Sequence, residues 1–557
     1  MPPRPVEAPL STAATPLPAV SAPAIPSAPT APVPAASAAP SPEPTPAFAE
    51  KTESLRNNDV DLRLTNRGGG IQEAVLLKNM AEHGDPVVIN QDSAVPIGVI
   101  INDPKSAALS EFSLLKEADN SVRAERSEQG LSIRKRFFFT HLEAKDNYIL
   151  EMDVDFRNDG TQPYQRPNYF VTLGSAQPIH AGDWSTYTRM AWSIDGKMKS
   201  QNVEWFGGGS GFLGLGARGA QTVFEQPLTN AQWVAVTNQF FTTLFAPLDD
   251  KPIKAWAERF EVKREGQPPN RPLYAITGAM QMPGFELAPG QSKTVRIQIY
   301  VGPKIYHRLA KLEHDEAGVV DFGVFLGLGF IKLVSQFLLN LLNLIHGVVR
   351  DYGFSILILT LLVKGVLWPI QNKANYSMRR MALLSPKMQA LREKYQQDPT
   401  KMNQEVMKLY KEYGVNPMSG CLPMFIQIPI FFGLFSMLQQ AVELRDATFL
   451  WVKDLSQPDT LAHVPGFGWP INALPLMMAA TNVWLVRMTP KTGDPTQRRM
   501  MMLMPLVFVI FCYNFAAALA LYYTAQNLLT ILQLHINQKQ PPPTLEKVAL
   551  TQKHARK

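Results

Sequence analysis

Five long apolar runs in the second half of the chain restrict its fold more than any other feature. They cover residues 353–370, 421–438, 469–488, 500–514 and 516–536, whereas residues 1–320 have the mixed texture of a soluble module. A helix needs about 20 apolar residues to cross a hydrocarbon core about 30 Å thick, so the fourth run is short. The pattern predicts a soluble module joined to a polytopic α-helical membrane module with five core transmembrane helices.

Charges in the connecting loops predict the orientation of these helices. The loop 371–419 carries nine Lys or Arg and four acidic residues, whereas the loop 439–468 carries two basic and four acidic residues. Because cytoplasmic loops are enriched in Lys and Arg, we place residues 371–419, 489–499 and the basic tail 539–557 in the cytoplasm, and the soluble module outside. The net charge of +7 would also suit nucleic-acid binding. The clustering of basic residues in these loops favours the membrane interpretation instead.

The soluble first half divides into a tether and a folded domain. Residues 1–48 are rich in Pro, Ala and Ser, which predicts a disordered tether because such a segment cannot bury a core. Residues 50–318 contain stretches of alternating polarity beside turn signals, such as VDLRLTNRGG, YILEMDVDFRNDG and VRIQIYVG. This period of two predicts a large all-β sandwich. The domain has no cysteine, which is compatible with an oxidising compartment.

Residues 321–349 form a further apolar segment with a polar face. Lys332, Gln336, Asn340 and Asn343 are spaced by four, four and three residues, so they share one side of a helix. We interpret the segment as an amphipathic helix lying in the membrane interface; the alternative is a sixth span, which would place the β domain in the cytoplasm. The polar face and the absence of cysteine from the β domain favour five spans.

The basic loop after the first run has helical periodicity on both sides of Asp398 and Pro399, which predicts a cytoplasmic helical hairpin over residues 373–417. It carries a methionine stripe, composed of Met378, Met381, Met388, Met402 and Met407. Methionine is flexible and polarisable, and it suits surfaces that accept varied apolar partners. The stripe is therefore either a surface that contacts clients or the ribosome, or filler between two arms that pack on each other.

Few polar residues interrupt the five apolar runs. Thr360 and Lys364 lie four residues apart on one face of the first run, and Gln427 lies between two prolines of the second. The last run adds Tyr523 and Asn527, again four residues apart, with Tyr522 beside them. Such groups either link helices to one another or line a wet cavity.

Lys364 is the most unusual of these polar residues, because it is charged and none of the five runs contains an Asp or Glu to neutralise it. A charge at the centre of a membrane helix costs on the order of 3 kcal/mol. The lysine therefore either extends to the lipid headgroups or lies in a water-filled groove that opens to the cytoplasm.

The sequence predicts no catalytic residues, no metal site and no cofactor. It has no HExxH, GxSxG or P-loop motif, and the glycine-rich stretches NRGGG and FGGGSGFLGLGARG are not followed by the Lys-Ser/Thr of a phosphate loop. Two other classes of function would each require a further signal. A secondary transporter or channel with an external binding domain would require intramembrane acids or repeated broken helices. An enzyme acting on periplasmic glycans would require a concave site with paired carboxylates.

Several stretches of the sequence match a known family. They are GFSILILTLLVKGVLWPI, MQALREKY, YGVNPMSGCLPMFIQIPIFFGLF and LMPLVFVIFCYNFAAALALYYTAQNLLTILQ, with YVGPK upstream and LTNRGG, WVAVTNQFF and LAPGQS matching more loosely. Together they resemble the YidC/Oxa/Alb membrane protein insertases, most specifically YidC of Gram-negative type. The resemblance implies an insertase core over residues 353–538 in the inner membrane, with the β domain in the periplasm. It implies insertion of nascent membrane proteins without ATP, alone or beside the Sec translocon.

The resemblance also implies a hydrophilic groove among the five core helices, open to the cytoplasm and to lipid. The family usually has an arginine in the first core helix, where this chain has Lys364. Client contacts of the family fall on the groove faces of the first and last core helices, here Thr360 and Tyr522. The β domain resembles a sugar-mutarotase sandwich without implied catalysis. Gram-negative members begin with a membrane anchor, so from the start MPPRPVEAPLS we expect a misassigned start or a missing N-terminal segment.

Overall fold

The computed structural model describes most of residues 48–557. The gaps are residues 82–83, 107, 141–146, 210–216, 269, 315, 323–328, 417–421, 467, 490–502, 504–506, 542, 546 and 548–557. The predicted tether over residues 1–48 lies outside the described residues except for its last residue. Most of the basic tail also lies outside them, as do residues 500–502 and 504–506 of the fourth apolar run, in which residues 507–512 are helical.

Residues 52–303 form the predicted β domain. Its strands, among the described residues, are β1 (Thr52–Arg56), β2 (Val60–Thr65), β3 (Gly70–Met80), β4 (Pro86–Ile89), β5 (Ile100–Ile101), β6 (Ser113–Lys116), β7 (Val122–Glu128), β8 (Leu131–Phe139), β9 (Ile149–Asn158), β10 (Tyr164–Arg166), β11 (Tyr169–Ala176), β12 (Arg189–Ile194), β13 (Lys197–Asn202), β14 (Val223–Pro227), β15 (Ala231–Thr237), β16 (Phe241–Pro247), β17 (Lys254–Val262), β18 (Leu273–Met282), β19 (Phe285–Leu287) and β20 (Ser292–Pro303).

Two antiparallel sheets pack face to face in this domain. One has nine strands in the order β13-β12-β15-β16-β20-β9-β8-β7-β6, and the other has five in the order β14-β17-β18-β11-β5. Strand β9 shows why they pack, because Leu150, Met152, Val154 and Phe156 alternate inward and are almost completely buried. Strands β11 and β18 lie against β15 and β16 across the core. The prediction of an all-β sandwich is confirmed.

The second half of the chain is helical. The helices are α1 (Tyr306–Leu309), α2 (Gly329–Val349), α3 (Tyr352–Lys394), α4 (Pro399–Glu412), α5 (Leu422–Gln440), α6 (Ala473–Met488) and α7 (Ala517–Gln538). In the described part of the chain, α2 and α3 are long and apolar enough to cross a membrane, while α6 and the apolar stretch Phe425–Gln440 of α5 are shorter. The number of core spans stays a prediction. The third run starts four residues before its helix, because β22 (Pro470–Asn472) pairs there with β21 (Thr460–His463).

Helix α3 runs further than its apolar run. It continues without a break past Pro369 and Pro386 to Lys394, so the predicted hairpin does not begin with a helix of its own at residue 373. Its first arm is the extension of α3, and its second arm is α4. Asp398 ends the connection between them, because its carboxylate accepts a hydrogen bond from the backbone N–H of Lys401 at 2.9 Å, and Pro399 then occupies the first turn of α4.

Helix α2 covers the described part of the predicted interfacial segment 321–349. It packs against α5 at Ser335, whose hydroxyl donates to the carbonyl of Gly433 at 3.0 Å. A Cβ at Gly433 would lie 2.6 Å from Val334, so this glycine allows the two helices to approach closely. Another face of α2 carries exposed apolar side chains, namely Phe330, Leu333, Phe337, Leu344 and Val348. Whether α2 spans the bilayer or lies in its interface stays a prediction.

The β domain is joined to the helices by contacts with the α5–α6 connection, defined here as residues 441–472. The guanidinium of Arg445 donates to the backbone carbonyl of Met80 at 2.6 Å. The carboxylate of Asp446 accepts from the backbone N–H of Met80 at 3.1 Å. The ring of Trp184 packs against Phe435 of α5 and Phe515, with centroids 5.9 and 5.3 Å apart. The connection therefore holds the β domain against the ends of the helices.

Candidate functional site

Lys364 lies between α3 and α7. Its side chain is only 1% exposed. The ammonium donates to the hydroxyl of Thr530 on α7 at 2.9 Å and to the side-chain carbonyl of Gln371 on α3. The lysine therefore points into the helix packing, which favours an interior role over extension to the lipid headgroups.

A row of polar side chains continues from this lysine along the α3–α7 contact. The amide of Gln533 donates to Asn372 at 2.7 Å and to the carbonyl of Trp368 at 3.2 Å. Asn537 donates to the same Asn372 oxygen at 3.0 Å, and Arg379 donates to the carbonyl of Asn537 at 2.7 Å. We call Gln371, Asn372, Thr530, Gln533 and Asn537 the polar ladder. It leads from Lys364 toward the basic extension of α3.

Thr360 lies one turn before Lys364, but its hydroxyl is used within its own helix. It donates to the carbonyl of Ile356 at 2.6 Å, and the residue is completely buried. Tyr522 of α7 is also completely buried, and Gln427 of α5 lies beside its hydroxyl. The contact between Tyr522 and Gln427 links α7 to α5, and neither it nor the Thr360 bond involves the lysine.

The other two predicted groove residues lie in different surroundings. Tyr523 packs in an aromatic cluster, with ring centroids 5.4 Å from Phe431 and 5.1 Å from Phe508. Asn527 donates to the hydroxyl of Thr481 on α6 at 3.1 Å. Five of the six predicted residues thus lie at contacts of α7 with α3, α5 or α6, whereas the hydroxyl of Thr360 bonds within α3, so the six do not form a single cluster.

The methionines of the hairpin do not form one exposed stripe. Met388 is buried, and the hydroxyl of Tyr410 on α4 contacts its sulfur at 2.9 Å. Met381 packs partly buried in the same small core, whereas Met378 and Met402 are half-buried. Met407 alone of the five is exposed, at 48%. The part of the stripe near Met388 fills the space between the two arms.

Most of the polar ladder is not among the residues that the sequence predicts for the groove. The end of the first apolar run at Ile370 predicts a loop at Gln371 and Asn372, whereas both lie in α3. A signal was present on α7, where Gln526, Thr530, Gln533 and Asn537 are spaced by four, three and four residues. That spacing defines one helical face over three turns.

No group of three or more His, Cys, Asp or Glu side chains that could hold a metal occurs among the residues that the structure describes. The side chains around Lys364 are neutral amides and hydroxyls. The arrangement can solvate polar groups and attract an anion.

Two family profiles match nearly the whole chain outside its termini. The profile described as "60Kd inner membrane protein" matches residues 344–543, and the one described as "YidC periplasmic domain" matches residues 54–333. The Membrane protein insertase YidC of Nitratidesulfovibrio vulgaris strain DP4 is 30% identical over 88% of this chain and 88% of its own length.

The chain belongs to the YidC family of membrane protein insertases.

Two further YidC proteins illustrate the range of similarity. The Membrane protein insertase YidC of Syntrophobacter fumaroxidans is 38% identical over 56% of this chain and 54% of its own length. A crystal structure of an active YidC insertase with its first transmembrane domain resolved is 17% identical, covers 89% of this chain and 94% of its own, and has a TM-score of 0.35. YidC proteins are inner-membrane proteins with a periplasmic domain, which identifies residues 54–333 as the periplasmic part of this chain.

Proposed function

We propose that this chain inserts and folds inner-membrane proteins by attracting polar client segments to Lys364 and the polar ladder. The observation that carries this proposal is the position of Lys364, which is buried between α3 and α7 with only neutral acceptors on its ammonium. Keeping an unneutralised charge inside a membrane helix bundle costs on the order of 3 kcal/mol. Such a cost is expected where the charge serves a function.

The lysine attracts an acidic or polar client tail, and the ladder provides hydrogen bonds that replace water along its path. The family usually has an arginine at this position. A lysine keeps the positive charge but loses the planar fork that binds a carboxylate with two parallel bonds. We therefore expect attraction by charge, without geometric selection of one carboxylate orientation.

The apolar part of the client leaves along the exposed side of α3. Leu361, Leu362 and Val366 are 57%, 47% and 75% exposed, and they lie in the same two turns of α3 as the buried Lys364. One helix thus offers a polar interior face and an apolar outer face at the same depth. Transfer of an apolar helix of about 20 residues into lipid is favourable in itself, so no nucleotide is needed.

The topology that fits this mechanism has five core helices, with the hairpin and the C-terminal tail in the cytoplasm. The hairpin would contact nascent membrane proteins before they reach α3, and the ribosome is a further candidate partner for its basic surface. Cooperation with the Sec translocon belongs to the same proposal. The exposed methionine suited to an apolar client is Met407.

Substitutions of Lys364 in cells depleted of their own insertase test the proposal. Lys364→Arg should preserve insertion of a client with an acidic translocated tail, whereas Lys364→Ala and Lys364→Glu should reduce it. A client with an uncharged tail should be less affected. The matched control is Lys332→Ala, which removes a half-buried lysine from α2, away from the α3–α7 contact. Equal insertion of the acidic client by all Lys364 variants would refute the electrostatic role, and failure of the unsubstituted chain to insert either client would refute the function itself.

A further inference from the structure

The α5–α6 connection exposes an unusual amount of large apolar surface for a loop on the β-domain side of the protein. Four of its side chains are exposed, namely Leu450 at 74%, Trp451 at 42%, Leu461 at 58% and Trp469 at 73%. The whole described β domain exposes only three large apolar side chains, which are Met80, Leu115 and Leu248. A segment of 32 residues therefore exposes more such groups than a domain of about 250 residues.

The first pair of exposed side chains lies at the level of the first turn of α3. Leu450 and Trp451 form the tip of a tight turn closed by Phe449 and Val452, whose backbones exchange hydrogen bonds of 2.9 and 2.8 Å. Phe449 packs directly on the backbone of Gly353, where a Cβ would lie only 2.0 Å from its ring. The turn thus lies beside the beginning of the first apolar run.

The second pair is fixed to the beginning of α6. Leu461 belongs to β21, and Trp469 immediately precedes β22, which leads into α6 at Ala473. The carbonyl of Trp469 accepts from the amide of Val464 at 2.8 Å, so the residue is held in the hairpin. Within one turn of its start, α6 exposes Leu476 and Met477 at 49% and 43%. The exposed hairpin is therefore continuous along the chain with the exposed apolar side of a helix in the membrane region.

Asp459 connects the turn at Leu450 and Trp451 to the beginning of α6. Its Oδ2 accepts a hydrogen bond from the indole N–H of Trp451 at 3.1 Å and another from the backbone N–H of Leu474 in the first turn of α6 at 2.7 Å. Asp459 itself is 5% exposed. The carboxylate is well placed at a helix N-terminus, where the aligned peptide dipoles favour a negative charge. The four exposed side chains thus belong to one hydrogen-bonded segment at the ends of the helices.

We propose that the α5–α6 connection seats Leu450, Trp451, Leu461 and Trp469 in the interfacial layer of the membrane leaflet on the β-domain side. Tryptophan is enriched at this depth because its ring is apolar and its N–H is polar. The exposed Lys453, two residues after Trp451, is placed to meet lipid phosphates. The same connection binds the β domain through Arg445 and Asp446, so its seating would set the height of the β domain above the bilayer.

Lipid-borne quenchers test this placement in the full-length chain. A background with Cys421→Ser and Cys512→Ala removes both native thiols, after which Leu461→Cys or Trp469→Cys carries a polarity-sensitive fluorophore. The matched control is Leu115→Cys on the edge strand β6 of the β domain, where the native side chain is 52% exposed. Each protein is reconstituted into vesicles with nitroxide headgroup lipids in both leaflets, and aqueous iodide serves as the second quencher.

We expect the nitroxide lipids to quench the label at positions 461 and 469 several-fold more strongly than at position 115, and iodide to quench it less. Equal behaviour at the three positions would overturn the proposal by showing that the hairpin stands in water. Protection of positions 461 and 469 from both quenchers would also overturn it, because it would show that another protein or a second copy of the chain covers them. The two labelled positions are independent, so misfolding of one variant leaves the other as a test.

Discussion

Replacing Lys135 with methionine should weaken the periplasmic β domain, and weaken it more at pH 9 than at pH 6. Lys135 is completely buried in β8, and its ammonium donates to the carbonyls of Gly68, Gly69 and Gly98 at 2.6, 3.0 and 3.0 Å. It therefore fastens two glycine-containing turns to the nine-stranded sheet. Methionine has a similar shape but no donor, so the substitution leaves three carbonyls without that partner.

The size of the effect follows from these three bonds and from burial. The neutral amine keeps only two N–H donors for these three carbonyls. Each buried acceptor that loses its donor costs about 1 kcal/mol or more, so the variant should lose at least about 2 kcal/mol of unfolding free energy when the native lysine is neutral. Burial lowers the pKa of Lys135 from its ordinary 10.5 to about 7. Below that pH the lysine of the native protein is charged. The free-energy cost of burying this charge then offsets part of the stabilisation that the hydrogen bonds contribute.

The sign of the pH dependence is fixed by proton linkage. Between pH 7 and pH 10.5 the unfolded chain holds a proton on Lys135 that the folded chain has released, so the stability of the native protein rises with pH in this window. Two pH units above the folded pKa correspond to about 2.7 kcal/mol. The native protein should gain about that much between pH 6 and pH 9 from Lys135, and the methionine variant should not.

Amide hydrogen exchange in the full chain measures this difference. Opening free energies of peptides that cover β8 are compared at pH 6 and pH 9, after correction for the intrinsic exchange rate. The matched control is Lys116→Met, which removes an exposed lysine that donates to a single carbonyl, that of Ser54, at 2.8 Å. A difference between the native and Lys135→Met proteins that stays constant from pH 6 to pH 9 would refute the reasoning, since the folded lysine would then keep its charge throughout.

Two further predictions concern the helices. Gly433→Ala should separate α2 from α5 and lower the thermal stability of the protein in detergent, because its Cβ would clash, whereas Gly365→Ala on α3 meets open space and should have little effect; equal melting temperatures would contradict the close contact. Thr530→Val should reduce insertion of acidic-tailed clients because it removes an acceptor of Lys364, while Thr524→Val, which loses only a bond within α7, should leave insertion near normal. Similar insertion by the two threonine variants would contradict a role for the ladder.

Much of the fold could be predicted from the sequence because its periodicities are long and uninterrupted. The β domain follows from alternation such as that of β9, where every second side chain enters the core. The end of α3 could not be predicted in this way. The change from apolar to polar residues after Ile370 predicts a loop. In the structure the helix continues for 24 more residues and packs polar side chains against α7. A fall in hydropathy indicates where a helix leaves the lipid. It does not indicate where the backbone hydrogen bonding of that helix ends.

The candidate site could be predicted less completely than the fold. The charge of Lys364 within an apolar run is enough to single it out, and the structure adds its acceptors. The predicted grouping of Tyr523 and Asn527 with it rested on spacing along α7, but their partners belong to other helices. Spacing within one helix indicates which side chains share a face. It does not indicate which neighbouring helix each part of that face meets, since that depends on how the helices cross.

The joint formed by Arg445 and Asp446 has a mechanical consequence. The two side chains hold the carbonyl and the amide of one residue, Met80, at the end of the eleven-residue strand β3. A tilt of α5 in the bilayer would therefore be transmitted to a long, stiff strand instead of being absorbed by a flexible loop. The β domain would then move with the helices as one rigid body. A small rotation of the helices within the membrane would therefore produce a larger displacement at the edge of the β domain that is farthest from them.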